Sequence, residues 1–389
     1  MKTGYINAKI YDSYSKSFFD GFLSEEKGHI CDIIRNGEND LPVCENTIDL
    51  HGNYLVPGLV DIHTHGRSGG DFLSTDYELL KKMSDTYMIR GVTTLLPTLA
   101  SATLEQMYDA SERIGEISKE QGKYANFSGL HIEGRYLNVL KRGAHAPELI
   151  APLSAEELEN FVFRMCGEQR GETVIYLSAA FELDHDRSFA REALRLGMKL
   201  GLAHTCATYD EAMAAADNGV IIYTHLFNAM PVLHHREGGA VCAGLTDDRM
   251  YCEIIADGMH ISPPMVKLAY MCKKEKLVLV TDSMEATDCP DGEYSIAGLP
   301  VTVKCGRALT HDGVLAGSTL DLLDGIKNLS EFANISFGEA LYCATKAPAD
   351  AMGLSDRIGV LESGKQADLL VLDKNYDILQ VIKYGRMIK

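Results

Sequence analysis

The chain has 389 residues, 46% of them hydrophobic, with 37 Lys and Arg against 55 Asp and Glu. That content can bury one large core and a smaller second one, which excludes a disordered chain. The net charge of -18 argues against non-specific binding to nucleic acid or to anionic membranes, so an anionic substrate would need a local basic site.

The first residues, MKTGYINAKIYDSYSKSFFDGFL, lack a continuous apolar segment, and no run of about 18 uncharged apolar residues occurs anywhere. Neither a signal peptide nor a spanning helix is expected, which points to a cytoplasmic protein. Residues 1–54 hold short alternating segments such as GYINAKIYD, punctuated by Gly, Asn and Asp, as small β-structure does. From about residue 55, eight short apolar runs follow, at 55–63, 91–97, 127–133, 173–180, 199–204, 220–225, 251–256 and 277–282. Amphipathic stretches at 77–90, 103–120, 154–167, 187–196, 209–218 and 263–273 separate them. This alternation predicts an α/β fold, a TIM-type (β/α)8 barrel over 55–355. Ser154, ahead of AEEL, is a plausible helix cap with acidic residues in the first turn. The segment 288–317, with PDG, AGLP and HDG between short apolar runs, reads as a β-hairpin excursion after the eighth strand. Residues 356–389, including ADLLVLD, return to short alternation, so 1–54 and 356–389 together are expected to build a small β-sandwich domain.

Ten cysteines lie between Cys31 and Cys343 without a CxxC pair, which fits reduced thiols rather than a disulfide framework or a thiolate zinc site. Cys206 reads as a small buried packing residue.

In such a barrel, chemistry sits at the C-terminal ends of the strands. The first run ends in Asp61, His63 and His65 within PGLVDIHTHG, and alternation along a strand points both histidines the same way. The third ends in His131 and Glu133, the fifth in His204, the sixth in His225 and the eighth in Asp282. One histidine at a strand end is ordinarily a hydrogen-bonded structural residue. Five nitrogen and oxygen donors and one acid on the same barrel face are not required by core satisfaction, and they suit zinc, iron or manganese. His131 reads as orienting the site rather than ligating. His29, His51, His185 and His311 fall in the satellite domain or in connections and read as solvated.

These segments resemble the amidohydrolase superfamily and, within it, the N-acetylglucosamine-6-phosphate deacetylases. The resemblance is carried in order by PGLVDIHTHG, GLHIEGRYLN, KRGAH, AHTCAT, THLFNAMPVLHHREGG, IADGMH, LVTDSM, LAGSTL and IGVLESGKQADLLVLD. THLFNAMP with HHRE, and IADGMH, are the most specific. It implies that Glu133, His204 and His225 hold the principal metal, and that His63 and His65 with a bridging Glu133 can hold a second, giving one or two ions. Asp282 matches the catalytic acid and base. His145 and His260 match substrate contacts, while Asn228 and Ala229 with Arg236 match phosphate-binding elements. The resemblance further implies a homodimer, in which Arg236 can reach across the interface. The implied reaction is hydrolysis of the acetamide of N-acetylglucosamine 6-phosphate. A fork-shaped guanidinium suits phosphate, with a surface arginine paired with Glu237 the alternative reading of Arg236.

Four features depart from the pattern: Arg135 in place of a proline, SAAFE at 178–182 in place of LAPE, Gly238 in place of a proline, and added acid at Glu285 and Asp288. All are expected near the pocket, where they would bear on the sugar, with N-acetylgalactosamine 6-phosphate the related substrate. A cyclic-amide or deaminating amidohydrolase is disfavoured, because many of those bridge their metals with a modified lysine where this chain has Glu133. A catalytically silent sugar-phosphate-binding regulator is disfavoured because Asp282 and every candidate ligand are present.

Overall fold

The computed structural model describes residues 1–389 except 39, 121, 123, 169 and 170. Eight parallel strands, Leu59–Thr64, Val92–Leu99, Gly129–Ile132, Val174–Ala179, Lys199–Leu202, Val220–Tyr223, Tyr251–Ile254 and Leu277–Leu279, pair in chain order. The eighth returns to the first through Asp282 N–H to the His63 carbonyl at 2.9 Å and Thr281 Oγ1 to Asp61 Oδ2 at 2.6 Å, so the sheet is a nearly closed barrel. Its interior is filled by Val60, Ile62, Leu96, Tyr176, Ile222, Val278 and Val280 among others, a packed core rather than a pore.

Helices form the outer layer at Tyr77–Ile89, Leu104–Ser118, Ala155–Cys166, Ser188–Arg195, Tyr209–Asp217, Gly239–Thr246, Pro263–Lys273 and Leu322–Ala333. Thr103 with Gln106 and Thr208 with Glu211 make reciprocal capping boxes, which satisfy helix-end N–H groups that otherwise lack partners. Ser154 occupies its cap position but its hydroxyl makes no capping bond. Glu157 in that first turn accepts the Tyr136 hydroxyl at 2.6 Å instead. The Gly239–Thr246 helix does not show in the sequence pattern, because GAVCAGLT is apolar on nearly every face. Leu322–Ala333 carries a clear stripe of Leu322, Ile326, Leu329 and Ala333, but it follows the β-excursion and so falls outside the strand–helix alternation.

The expected first run, 55–63, is two strands. Tyr54–Pro57 belongs to the terminal β-domain, where it pairs with Leu369–Leu372, and Leu59–Thr64 opens the barrel. Gly58 is the break: a Cβ there would stand 2.1 Å from Thr93 Oγ1, so only glycine lets the chain pass this close. The β-domain joins eight strands from both ends in one sheet. Its far strand, His29–Arg35, meets the segment ahead of Leu369 through Ile30 N–H to the Lys365 carbonyl at 2.9 Å. The sheet therefore wraps over its own core of Tyr5, Ile10, Leu23, Leu55, Leu369 and Ile382.

The excursion is three strands rather than a hairpin: Gly292–Ile296, Leu299–Lys304 and Arg307–Thr310, all antiparallel. The second turn, at Cys305 and Gly306, has φ of +51° and +74°, as a tight two-residue hairpin turn requires. Asp288 and Asp321 flank this sheet and both meet the buried Arg67 and the Arg90 side chain. That ion cluster ties the excursion to the barrel rim.

Candidate active site

The first, third, fifth, sixth and eighth strands deliver His63, His65, Glu133, His204, His225 and Asp282 to one end of the barrel. Glu133 divides them. Its Oε2 lies 3.1 Å from His63 Nε2 and 3.0 Å from His65 Nε2. Its Oε1 lies 3.2 Å from His204 Nε2 and 2.8 Å from His225 Nε2. Asp282 Oδ1 stands 3.4 Å from His63 Nε2 and 3.2 Å from His65 Nε2. All six residues are buried. His204, His225 and Asp282 have φ of +43°, +32° and +48°, each costing on the order of 1–3 kcal/mol for a residue with a Cβ. Strain at three successive site positions is what a functional constellation, rather than a packing solution, produces.

The hydrogen bonds test whether this set suits a cation. His204 Nδ1 lies 2.8 Å from the Lys141 carbonyl, which can only accept, so Nδ1 carries the hydrogen. That hydrogen bond turns Nε2 toward Glu133 Oε1, and His225 Nε2 is only 3.1 Å away. His63 is held likewise, with Nδ1 3.0 Å from Glu253 Oε2. Carboxylate oxygens and ring nitrogens gathered this closely demand positive charge among them, as protons or as a cation. The electrostatics of the cluster reflect this demand. Burial disfavours the imidazolium of His65, yet the Asp282 and Glu133 carboxylates outweigh it and raise its pKa to about 9. Burial also opposes charge on Asp282, but His63 and His65 hold it down to about 2. Glu133 is buried yet lies well below the usual carboxylate range, because His63, His204 and His225 surround it. Imidazole and carboxylate donors at this spacing fit a divalent ion, with Glu133 able to bridge two positions.

A cleft of about 320 Å³ opens above these groups and is also lined by Lys141, His145, Asn228, Ala229 and His260. The excursion supplies one wall through Ile296, Val314 and Leu315. Burial and the neighbouring His204 lower the pKa of His145 to about 3, so its ring is neutral. Its Nδ1 accepts the Ser101 backbone N–H at 3.2 Å, which leaves Nε2–H as a fixed donor. His260 gives its Nδ1 to Asp257 Oδ2 at 2.7 Å.

Arg236 is not in the cleft. It lies on the exposed loop before Gly239–Thr246, and among the described residues no ion pair links it to Glu237. His131 bonds Ser178 Oγ at 2.7 Å and sets its ring edge-on to His63 at 4.5 Å. His29, His51, His185 and His311 are exposed. Cys206 is half-buried rather than buried. None of the departures from the family pattern is among the residues lining the cleft. Arg135 faces Glu157 at 3.4 Å. Glu182 binds Asn138, Thr205 and the Cys206 amide. Gly238 precedes a helix, Glu285 accepts from Ser295, and Asp288 pairs with Arg67. Glu253 and Asp257 were missed from the sequence. The available signals were an acid inside the apolar run YCEIIA and an Asp three residues before His260.

Fold and donors define a class: a parallel β/α-barrel with a His, Glu and Asp centre for a divalent metal at the C-terminal ends of its strands. Residues 54–388 match the amidohydrolase family. The chain is 33% identical to an N-acetylglucosamine-6-phosphate deacetylase of Haemophilus influenzae over 99% of both chains. It is 32% identical to an N-acetylgalactosamine-6-phosphate deacetylase of Escherichia coli O157:H7, covering 95% of this chain and 96% of that one. A solved variant of N-acetyl-D-glucosamine-6-phosphate deacetylase from Mycobacterium smegmatis, in complex with N-acetyl-D-glucosamine-6-phosphate, superposes with a TM-score of 0.88. That protein is 27% identical, with 100% of this chain and 98% of that one covered. The chain belongs to the N-acetylglucosamine-6-phosphate deacetylase family of the amidohydrolases. No helix among the described residues is long and apolar enough to cross a membrane.

Proposed function

We propose that the chain hydrolyses the acetamide of N-acetyl-D-glucosamine 6-phosphate to D-glucosamine 6-phosphate and acetate. The observation that carries this reading is the division of Glu133 between two histidine pairs, 2.8 to 3.2 Å from its two oxygens, with Asp282 against one of them. Glu133, His204 and His225 would hold the principal ion and His63 and His65 a second, with zinc or iron the best-suited metals and manganese a third. When bound, the metal polarises the amide carbonyl and makes a strong nucleophile available from water at neutral pH. Asp282, ionised and buried at the cleft floor, takes the proton from the attacking water and delivers it to the departing nitrogen, without which amide cleavage stalls. His145, a fixed Nε2–H donor, suits the developing oxyanion or a sugar hydroxyl. His260, steadied by Asp257, suits a second substrate contact.

The 6-phosphate would meet the backbone at Asn228 and Ala229. Arg236 would complete that site from a second subunit of a homodimer, since in its own chain it stands outside the cleft. A cytoplasmic location accords with the acidic, cysteine-containing chain and its small phosphorylated substrate. The terminal β-domain, which includes Tyr54–Pro57, acts as a support for the barrel that opens at Leu59. The experiment is acetate release from N-acetylglucosamine 6-phosphate, its galacto epimer and unphosphorylated N-acetylglucosamine, with a cyclic amide as control. The galacto epimer is a specific second reading, motivated by the Escherichia coli O157:H7 relative, and a specificity constant favouring it would replace the first. Release from neither hexosamine phosphate by metal-replete protein would sink both.

A further inference from the structure

We propose that Glu253 is a positioning residue that couples the two halves of the donor cluster by holding His63 and His225 together from beneath. It sits in the seventh barrel strand, Tyr251–Ile254, and is 0% exposed. Its Oε2 lies 3.0 Å from His63 Nδ1 and accepts the His225 backbone N–H at 3.1 Å. A single oxygen thus touches one residue on each side of Glu133. Oε1 accepts the Tyr176 hydroxyl at 3.0 Å.

Each contact has a distinct effect. With Oε2 accepting the His225 N–H and Oε1 the Tyr176 hydroxyl, the carboxyl group meets His63 as an acceptor, so His63 presents Nδ1–H to it and turns Nε2 toward Glu133 and Asp282. The His225 N–H belongs to a residue at φ +32°, a backbone conformation that persists only when its surroundings enforce it. The support continues beyond Glu253. Tyr176 meets Thr224 at 2.8 Å, Thr224 meets Ser178 at 2.8 Å, and Ser178 meets His131, whose ring packs edge-on against His63. This polar chain begins and ends on His63. Packing alone does not account for the carboxyl group: burying a polar group is costly unless it is hydrogen-bonded, and its strand neighbours Cys252 and Ile254 are apolar and fully buried.

The inference rests on the metal-centre reading above, and zinc itself is the probe. Zinc affinity is measured by competition with a chromophoric chelator, and stoichiometry by metal analysis, in wild type, Glu253→Gln, Glu253→Ala and Tyr176→Phe. Both Glu253 variants are expected to bind zinc about 10- to 100-fold more weakly, with Ala the worse. Tyr176→Phe removes the Oε1 contact and the link to Thr224 but leaves both Oε2 contacts, and is expected to stay near wild type. Should Glu253→Ala fail to fold, the near-isosteric Glu253→Gln decides. Nitrogen NMR of the zinc-loaded wild type gives a readout free of any variant, with His63 carrying its hydrogen on Nδ1. Wild-type affinity in Glu253→Gln, an equal loss in Tyr176→Phe, or a hydrogen on His63 Nε2 would each overturn the proposal. Wild-type protein that bound no divalent ion would instead sink the metal-centre reading itself.

Discussion

Asp282 Oδ1 stands 3.2 Å from His65 Nε2, and this contact keeps the carboxylate ionised inside a buried site. Burial alone would push its proton affinity up, but His63 and His65 hold its pKa at about 2. A proton acceptor is therefore ready throughout the neutral range. Asp282→Asn is expected to fold, bind metal and bind substrate while losing about 100-fold or more in turnover. Acetate release and zinc binding are measured on the same preparation. A variant with more than about a tenth of wild-type turnover would make the aspartate structural.

Metal binding must displace protons. Against the effect of burial, the Asp282 and Glu133 carboxylates raise the His65 pKa to about 9, and only a neutral imidazole ligates. Protons compete more effectively as pH falls, so apparent zinc affinity drops below about pH 9 and recovers on returning toward it. A fall of about tenfold per unit of pH is expected for each proton displaced. Calorimetry in buffers of different ionisation enthalpy counts those protons. Affinity that is flat between pH 6 and 8 would show that the histidines are already neutral.

Exhaustive chelation is expected to abolish acetate release, and zinc, iron or manganese to restore it. Full activity in protein shown by metal analysis to be metal-free would remove the proposed mechanism.

Arg236 is exposed and free of ion pairs among the described residues, in a chain of net charge -18 that repels phosphate. Arg236→Ala should lower the specificity constant for the phosphorylated sugar by roughly 10- to 100-fold, taking a charge-assisted bond as about 1.5–3 kcal/mol. The unphosphorylated sugar should be little affected. Mixing Arg236→Ala with Asp282→Asn subunits should restore activity if the arginine serves a neighbouring site, since one site of a mixed dimer then carries neither defect. No recovery despite demonstrated subunit exchange would place its role within its own chain.

Lys383, fully buried, donates to Asp368 Oδ2 at 2.6 Å and to the Thr93 carbonyl at 2.8 Å. It therefore ties the terminal β-domain to the second barrel strand. Lys383→Met strands a buried carboxylate and is expected to cost about 3–5 kcal/mol, whereas adding Asp368→Asn should recover part of it. Denaturant unfolding of the single and double variants measures both. An unchanged single variant would show that the junction does not depend on the pair.

Much of the barrel was legible because strand and helix have different apolar periods, and those periods survive in the sequence wherever an element has one buried face. Tyr209–Asp217 and Leu104–Ser118 are of this kind, with capping residues to mark their starts. Gly239–Thr246 was not, because a helix buried on nearly all sides loses its period. The division of 55–63 into two strands also lay outside local pattern, since it depends on how closely Gly58 passes Thr93.

The sequence by itself determined which histidines and acids stand at the strand ends, because residue type and strand-end position are local properties. Tertiary structure alone decided that Glu133 separates them into two pairs, and that Glu253 Oε2 reaches both His63 and His225. It also decided that Arg135 and Glu182 turn to Glu157 and to the Asn138 and Thr205 loops rather than to the cleft. These are distances between residues far apart in the chain, fixed by barrel closure and by hydrogen bonds that buried polar groups must make.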